Sequence, residues 1–269
     1  MMGVSTIRRI FTTELQQQAV RKVDVIIGFF FLWVPILLHI FLWQAVYDIN
    51  GNAGSQLGYT LPQMITYFVL TLMCQRLVGV QIHRLLNHQI IQGDLNRFMV
   101  QPLSHLGFHY TRNAAEKFSQ FTYLLVPAAV LLLVFRENIV TPTVVNAALF
   151  ALALLLSIAL NFLIYYALGL LGFWFGRANQ IMMFATALIS LIDGSRFPLS
   201  LLPTVIQEVS WYLPFQYIFY FPIRIFIGAE TPETIRNGLL IETVWIVIFY
   251  VLVRIFWSRG LKRFGAFGG

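Results

Sequence analysis

The chain has 269 residues, of which 58% are apolar and only 11% charged. An ordinary soluble domain carries about 25% charged residues. The deficit excludes a soluble globular enzyme, and a mean hydropathy of +0.75 excludes a disordered chain. In such a chain the net charge of +7 belongs to loops at a membrane rather than to nucleic acid. Cys74 is the one cysteine, so neither an intrachain disulfide nor a cysteine metal cage can form. A small buried apolar role suits it.

Residues 5–22 come first. Ile7, Ile10, Phe11, Leu15 and Ala19 recur near helical spacing. This predicts an amphipathic helix on the membrane surface within residues 1–24, with a solvated leader as the alternative. No short apolar region with a small-residue cleavage site opens the chain, so no cleavable signal peptide is expected. Six apolar runs follow, near 25–47, 60–80, 118–135, 144–172, 180–196 and 238–257. A helix rises about 1.5 Å per residue, so about 20 residues cross the hydrocarbon core. Backbone groups in lipid must pair within their own segment. The expected fold is therefore an all-α membrane protein, a single transmembrane domain over 1–269 with six transmembrane helices.

Charge gives the orientation. With the N-terminus inside, only Arg136, Arg196, Arg224 and Arg236 of the eighteen Lys and Arg fall outside. Basic residues mark cytoplasmic loops, so both termini are expected in the cytoplasm. Two connections are long. The inner one, 81–117, is polar with helix-compatible pieces. The outer one, 197–237, is apolar and aromatic but broken by Pro198, Pro203, Pro214, Pro222 and Pro232. Proline interrupts helices, so short re-entrant or interfacial helices are expected there. Trp211, Tyr212, Tyr217 and Tyr220 suit the membrane interface.

No G-x-x-x-x-G-K-[ST] loop occurs, so the chain has no P-loop for ATP. No H-E-x-x-H, G-x-S-x-G or Cys/His zinc spacing occurs either, and no enzymatic constellation emerges. His83, His88, His105 and His109 lie in the inner loop without a supporting carboxylate cluster, so solvated or interfacial histidines are expected rather than a metal site.

Within that loop Gly93 breaks one helical piece and Asp94 is placed to cap the next. Leu95, Phe98 and Met99 then share a face, and Pro102 ends the piece. Such a short amphipathic helix is a handle for a partner's groove, or it lies on the bilayer. The pattern Ile-x-x-Gly-Asp-Leu-x-x-Phe-Met-x-x-Pro-Leu-Ser, from Ile90 to Ser104, resembles the coupling loop of ABC type-2 transport permeases. The run Asp193-Gly194-Ser195-Arg196-Phe197-Pro198 resembles the small-Gly-x-x-Phe-Pro element of that family, with Asp193 where a small residue is usual. Leu213-Pro214-Phe215, Pro222 to Gly228 and the tail from Trp257 to Gly269 also resemble elements of a prokaryotic branch. Each motif is loose, but their order and placement are specific.

The resemblance implies the membrane subunit of an ABC exporter in a prokaryotic cytoplasmic membrane. Two ATP-binding subunits would hold ATP and Mg, and a second permease chain, the same or related, would complete the path. This chain would bind no cofactor of its own and no nucleic acid; membrane lipid surrounds it. Ile90, Gly93, Asp94, Leu95, Arg97, Phe98, Met99 and Pro102 would couple to the ATP-binding partner. Gln63, Tyr67, Thr71 and Gln75 of the second span, with Asn179, Thr186, Ser190 and Asp193 of the fifth, form polar stripes. Similar permeases use these spans for the substrate path or dimer interface. Ordinary interhelical hydrogen bonds explain any one of these residues as well. Ser157, Asn161 and Tyr165, and the Gly172 to Gly176 run, read as packing. The alternative function is an ATP-independent channel or ion-coupled carrier, which would use ionisable groups at mid-membrane. His39 is the deepest candidate for that role, and Asp24, Glu242 and Arg254 read as lying near span ends.

Overall fold

The structure is a computed structural model that describes residues 3–20, 22–49, 58–96, 98 and 104–267. Among the described residues all regular structure is helical. Helix α1 is Val4–Val20, α2 is Lys22–Ile49, α3 is Leu61–Val78 and α4 is Ile82–Gln92. Then come α5 (His105–Val134), α6 (Val144–Leu170), the single turn α7 (Gly172–Phe175) and α8 (Asn179–Ile192). After these, α9 is Thr204–Tyr212, α10 is Tyr220–Phe226 and α11 is Pro232–Phe267.

Five helical stretches, in α2, α3–α4, α5, α6–α7 and α11, are long and apolar enough to cross a bilayer. The fifth apolar run does not match them. It forms α8, whose 14 residues cover only about 21 Å at the α-helical rise, short of the ~30 Å core. Among the described residues, five helices are thus long and apolar enough to cross, and the fifth apolar run forms a shorter apolar helix.

Local chemistry accounts for most boundaries. Thr60 and Gln63 form a reciprocal cap at the start of α3, and Thr143 caps α6 through Asn146 N, satisfying amides that a helix start leaves unpaired. In the outer connection the prolines start helical pieces more than they break them. Pro198 and Pro214 precede 3₁₀ turns, Pro203 precedes α9, Pro222 sits in the first turn of α10, and Pro232 opens α11. Proline lacks an N–H that the first turn does not need. The last span consequently begins at Pro232 rather than near 238. The third begins at His105 rather than 118, because Ser104 caps it through Gly107 N.

Helix α6 is the central pillar and packs against α3, α4, α10 and α11. Lipid gives helices no hydrophobic drive to associate, so close approach and polar bonds matter more. Gly169 and Gly172 let α4 lie directly on α6 and α7. A β-carbon at Gly169 would come within 3.0 Å of the His83 backbone, and one at Gly172 within 2.5 Å of Asn87. Helix α1 packs along the first half of α5 through Phe11 against Phe118 and an ion pair from Arg112 Nε to Glu14 Oε2 at 2.8 Å.

The two ends of the bundle differ. Helices α1 and α4, the starts of α5 and α8, and the last turns of α3, α6 and α11 gather at one end through contacts such as Lys117–Gly79, Asn87–Gly176 and His105–Trp257. Most of the Lys and Arg lie there, and it is called the basic end below. The opposite end holds 58–60, 136–143 and 198–231. Of the aromatic residues expected at a membrane surface, Tyr217 is fully buried in the chain, and Tyr220 is half-buried and packs edge-on against Tyr67.

Candidate functional site

The basic end is built around a break in the chain. Helix α3 stops at Val78, and Gly79 to Gln81 turn the chain into α4. Such a break frees carbonyls that lipid cannot satisfy, and two buried side chains meet them. Lys117 Nζ, from α5, donates to Gly79 O at 2.5 Å and to Arg76 O at 3.3 Å. Asn161 Nδ2, from α6, donates to Val78 O at 2.8 Å. The ammonium also sits favourably at the negative end of the α3 dipole. His105, His109, Asn113 and Lys117 follow one another at four-residue steps on α5 and are all buried. This inward polar stripe lies in a stretch that reads as a polar loop; the spacing itself is the available signal.

A second knot ties the following segment to the spans. His105 is 3% exposed. Its Nδ1 pairs with the Tyr166 hydroxyl of α6 at 2.8 Å, and its Nε2 with Gln89 Oε1 of α4 at 3.0 Å. Gln89 Oε1 can only accept, so Nε2 carries the proton and Nδ1 accepts from Tyr166. The ring stacks on Trp257 of α11 at 4.8 Å and meets Phe98 edge-on at 4.6 Å. One imidazole thus joins α4, α5, α6, α11 and the segment before α5.

The coupling residues proposed from sequence divide at this knot. Ile90 and Leu95 are buried in the core that Leu86, Leu170 and Phe173 share, and Phe98 is buried against His105, Phe108 and His109. Leu95 and Phe98, expected to face a partner's groove, are thus covered by their own chain here. Gly93 ends α4 in the left-handed region at φ +79°. Turn bonds then run from Asn96 N to Gly93 O and from Phe98 N to Leu95 O. Asp94 is exposed and accepts no hydrogen bond among the described residues, so it does not act there as the expected cap. Gln92, Asp94 and Asn96 form the exposed edge. Arg97, Met99 and Pro102 lie outside the described residues.

The polar stripes lie deeper. Gln63 is used in the α3 cap. Tyr67 is fully buried and donates to Gly194 O at 2.7 Å, while Thr71 bonds back to Tyr67 O. Gln75 Nε2 reaches Ser195 O at 3.4 Å. The turn after α8 therefore lies beside the middle of α3, between Tyr67 and Gln75. Asp193, expected near the outer mouth, is consequently at mid-depth and buried, with its Oδ1 accepting from Ser195 N at 2.7 Å. Thr186 and Ser190 bond to carbonyls of their own helix, and Asn179 is exposed at the start of α8. Among the described residues the two stripes meet through Tyr67, Gln75 and the 193–195 turn.

Two groups escaped the sequence reading. Glu242 is not near a span end. Because α11 begins at Pro232, Glu242 lies well inside it, with 0% exposure. It accepts from Ser157 Oγ at 3.1 Å. Ser157 is at the midpoint of α6 and also bonds Tyr217 O at 2.7 Å. Arg224 is ion-paired with Glu230 and donates to the Tyr59 hydroxyl at 2.9 Å and to Ala229 O at 2.8 Å, tying α10 to the entrance of α3. His39, the deepest candidate in the first span, bonds Pro35 O of its own helix at 2.7 Å and stacks on Phe68.

Residues 11–268 match the model of a family described as ABC-2 family transporter protein. No curated protein matches the chain.

Proposed function

This chain belongs to the ABC-2 family of transporter proteins, a multi-pass membrane permease component of ABC transporters, and from that premise we propose that it is the membrane subunit of an ATP-driven exporter. It works with two ATP-binding subunits, which hold the ATP and Mg, and with a second permease chain, the same or related. The basic end faces the cytoplasm of a prokaryotic cell, and α1 lies along the membrane surface there. The observation that carries this reading is the His105 knot. A push on the exposed edge at Gln92, Asp94 and Asn96 passes through Phe98 and Gln89 to one imidazole, and from it to α6 and α11. That is the linkage a soluble motor needs.

Gln75 and Asn179 are the most exposed stripe residues, and Gln63, Thr186 and Ser190 are half-buried, so these remain accessible for the path or the permease interface. The side of α8 that carries Met183, Phe184 and Leu188 is exposed and would meet the second permease chain.

The test is co-purification with an ATP-binding subunit and measurement of stimulated hydrolysis. A double Asp94→Arg, Asn96→Arg variant alters exposed groups only, so it is expected to fold. It should lower stimulated hydrolysis at least threefold. Unchanged hydrolysis in a complex of normal composition would remove this edge as the coupling element.

Glu242 favours a second reading, the ion-coupled carrier, because carriers use acids buried at mid-membrane. Glu242→Gln preserves shape and the bond to Ser157. Under the exporter reading, ATP-driven transport into inverted vesicles stays within twofold of wild type. Abolished transport together with dependence on a proton gradient would support the carrier instead.

A further inference from the structure

A cavity of about 530 Å³ opens at the basic end between α4 and α8, within the usual size of small-molecule sites. Its polar wall carries Arg84 and His83 from α4, Arg177 from the turn before α8, and Asn179 at the head of α8. Asn87 Nδ2 donates to Gly176 O at 2.9 Å, which sets the Arg177 turn against α4. Arg84 and Arg177 are both exposed, and neither has an ion pair among the described residues. No carboxylate lines the cavity among the described residues.

Two further features favour negative charge. Helix α8 has no side-chain cap, so its first amides are unpaired and its positive dipole end meets the cavity wall at Asn179. His83 is 5% exposed, yet its Nδ1 has no hydrogen-bond partner among the described residues, and a buried polar atom left so is costly. Deeper along the same face of α8 the lining turns largely apolar, with Thr186 its one polar side chain beyond Asn179. Met182 and Met183 lie there, and Met183 and Phe184 continue outward as an exposed apolar strip. Methionine suits a variable apolar chain.

The geometry points to a binding site for an anionic amphiphile, its phosphate-like head between Arg84 and Arg177 and its hydrocarbon tail along Met182 and Met183. Guanidinium groups hold phosphate oxygens in pairs, and basic pockets between helices on the cytoplasmic side take anionic head groups. This rests on the transport reading, which places the basic end in the cytoplasm, and it names the class of molecule loaded there.

The probe is dodecyl phosphate, titrated into the full-length chain in a neutral maltoside detergent without any ATP-binding subunit. Wild type is expected to bind it, with inorganic phosphate and dodecanol each at least tenfold weaker. Arg84→Ala with Arg177→Ala should weaken binding at least tenfold, and the paired Lys variants should restore most of it. Arg8→Ala with Arg9→Ala removes the same charge elsewhere at that end and should change binding less than twofold. Equal binding by the Arg84/Arg177 variant, or equal loss in the Arg8/Arg9 variant, overturns the site. Phosphatidylglycerol in nanodiscs separates two sources of the ligand: if it displaces the probe, the ligand is a leaflet lipid, and if it does not, the ligand is a free amphiphile. Either result retains the site. Because no motor subunit is present, failure here leaves the coupling reading intact, and failure of co-purification leaves this result intact.

Discussion

Lys117→Ala is expected to destabilise the protein by about 3–5 kcal/mol, the scale of removing one partner from a buried charged contact. The ammonium is 6% exposed and bonds Gly79 O, Arg76 O and Gln120 Oε1. Alanine would leave the carbonyls at the end of α3 facing a dry cavity. Each unsatisfied buried group costs about 1–3 kcal/mol, and the cavity adds to that. Lys117→Arg keeps a cation and donors at the α3 terminus and should lose less than half as much. Thermal unfolding in detergent, with denaturant titration on the same variants, measures both. A loss below about 1 kcal/mol in the alanine variant would mean that other groups close the α3 break. Because α4 hangs from that break, the alanine variant should also lose coupling before it unfolds. That shows as lower stimulated hydrolysis at temperatures where the fold remains intact.

The spans are legible in the sequence because lipid leaves the chain little choice: a long apolar run must be a helix, and the basic residues sort to one side. The tightly bonded turn at Gly194 is legible only as a family resemblance. What escapes has a common physical cause. Hydropathy reports what a segment touches, not how long or how deep it runs. Residues 105–117 read as a loop because the side of α5 that His105, His109, Asn113 and Lys117 bury is polar. The run around 180–196 reads as a span because α8 is apolar, although its helix is shorter than the others that could cross. Glu242 reads as terminal because proline more often interrupts a helix, whereas Pro232 opens one. Leu95 and Phe98 are apolar, but apolar character does not announce whether a partner or the chain itself covers a residue. Here Leu95 enters the core of Ile90, Tyr166 and Phe173, and Phe98 packs on His105.

Gly194→Ala is expected to cost about 2–5 kcal/mol, because two separate penalties coincide. The residue sits at φ +83°, where an L side chain costs roughly 1–2 kcal/mol. A β-carbon there would also lie 2.5 Å from Tyr220 Cβ, 2.9 Å from Tyr220 Cα and 2.8 Å from the Tyr67 hydroxyl. Overpacking of this kind adds about 1–3 kcal/mol, and the backbone contact means no flexible side chain can move aside to relieve it. Relief requires the turn to shift, which strains the Tyr67 bond to Gly194 O and the Tyr220 N bond to Asp193 O at 3.1 Å. Tyr67→Phe isolates one part of this. It removes the hydroxyl, leaves Gly194 O without that donor, and should cost about 1–3 kcal/mol. If the two effects share the hydroxyl contact, the double variant will be less destabilised than the sum of the singles, since loss of the Tyr67 hydroxyl clears one of the three overlaps. The thermal midpoints of the four proteins decide it. An unchanged midpoint for Gly194→Ala would show that the turn can move freely against α3. Full additivity would show that Tyr220, and not Tyr67, is what the glycine makes room for.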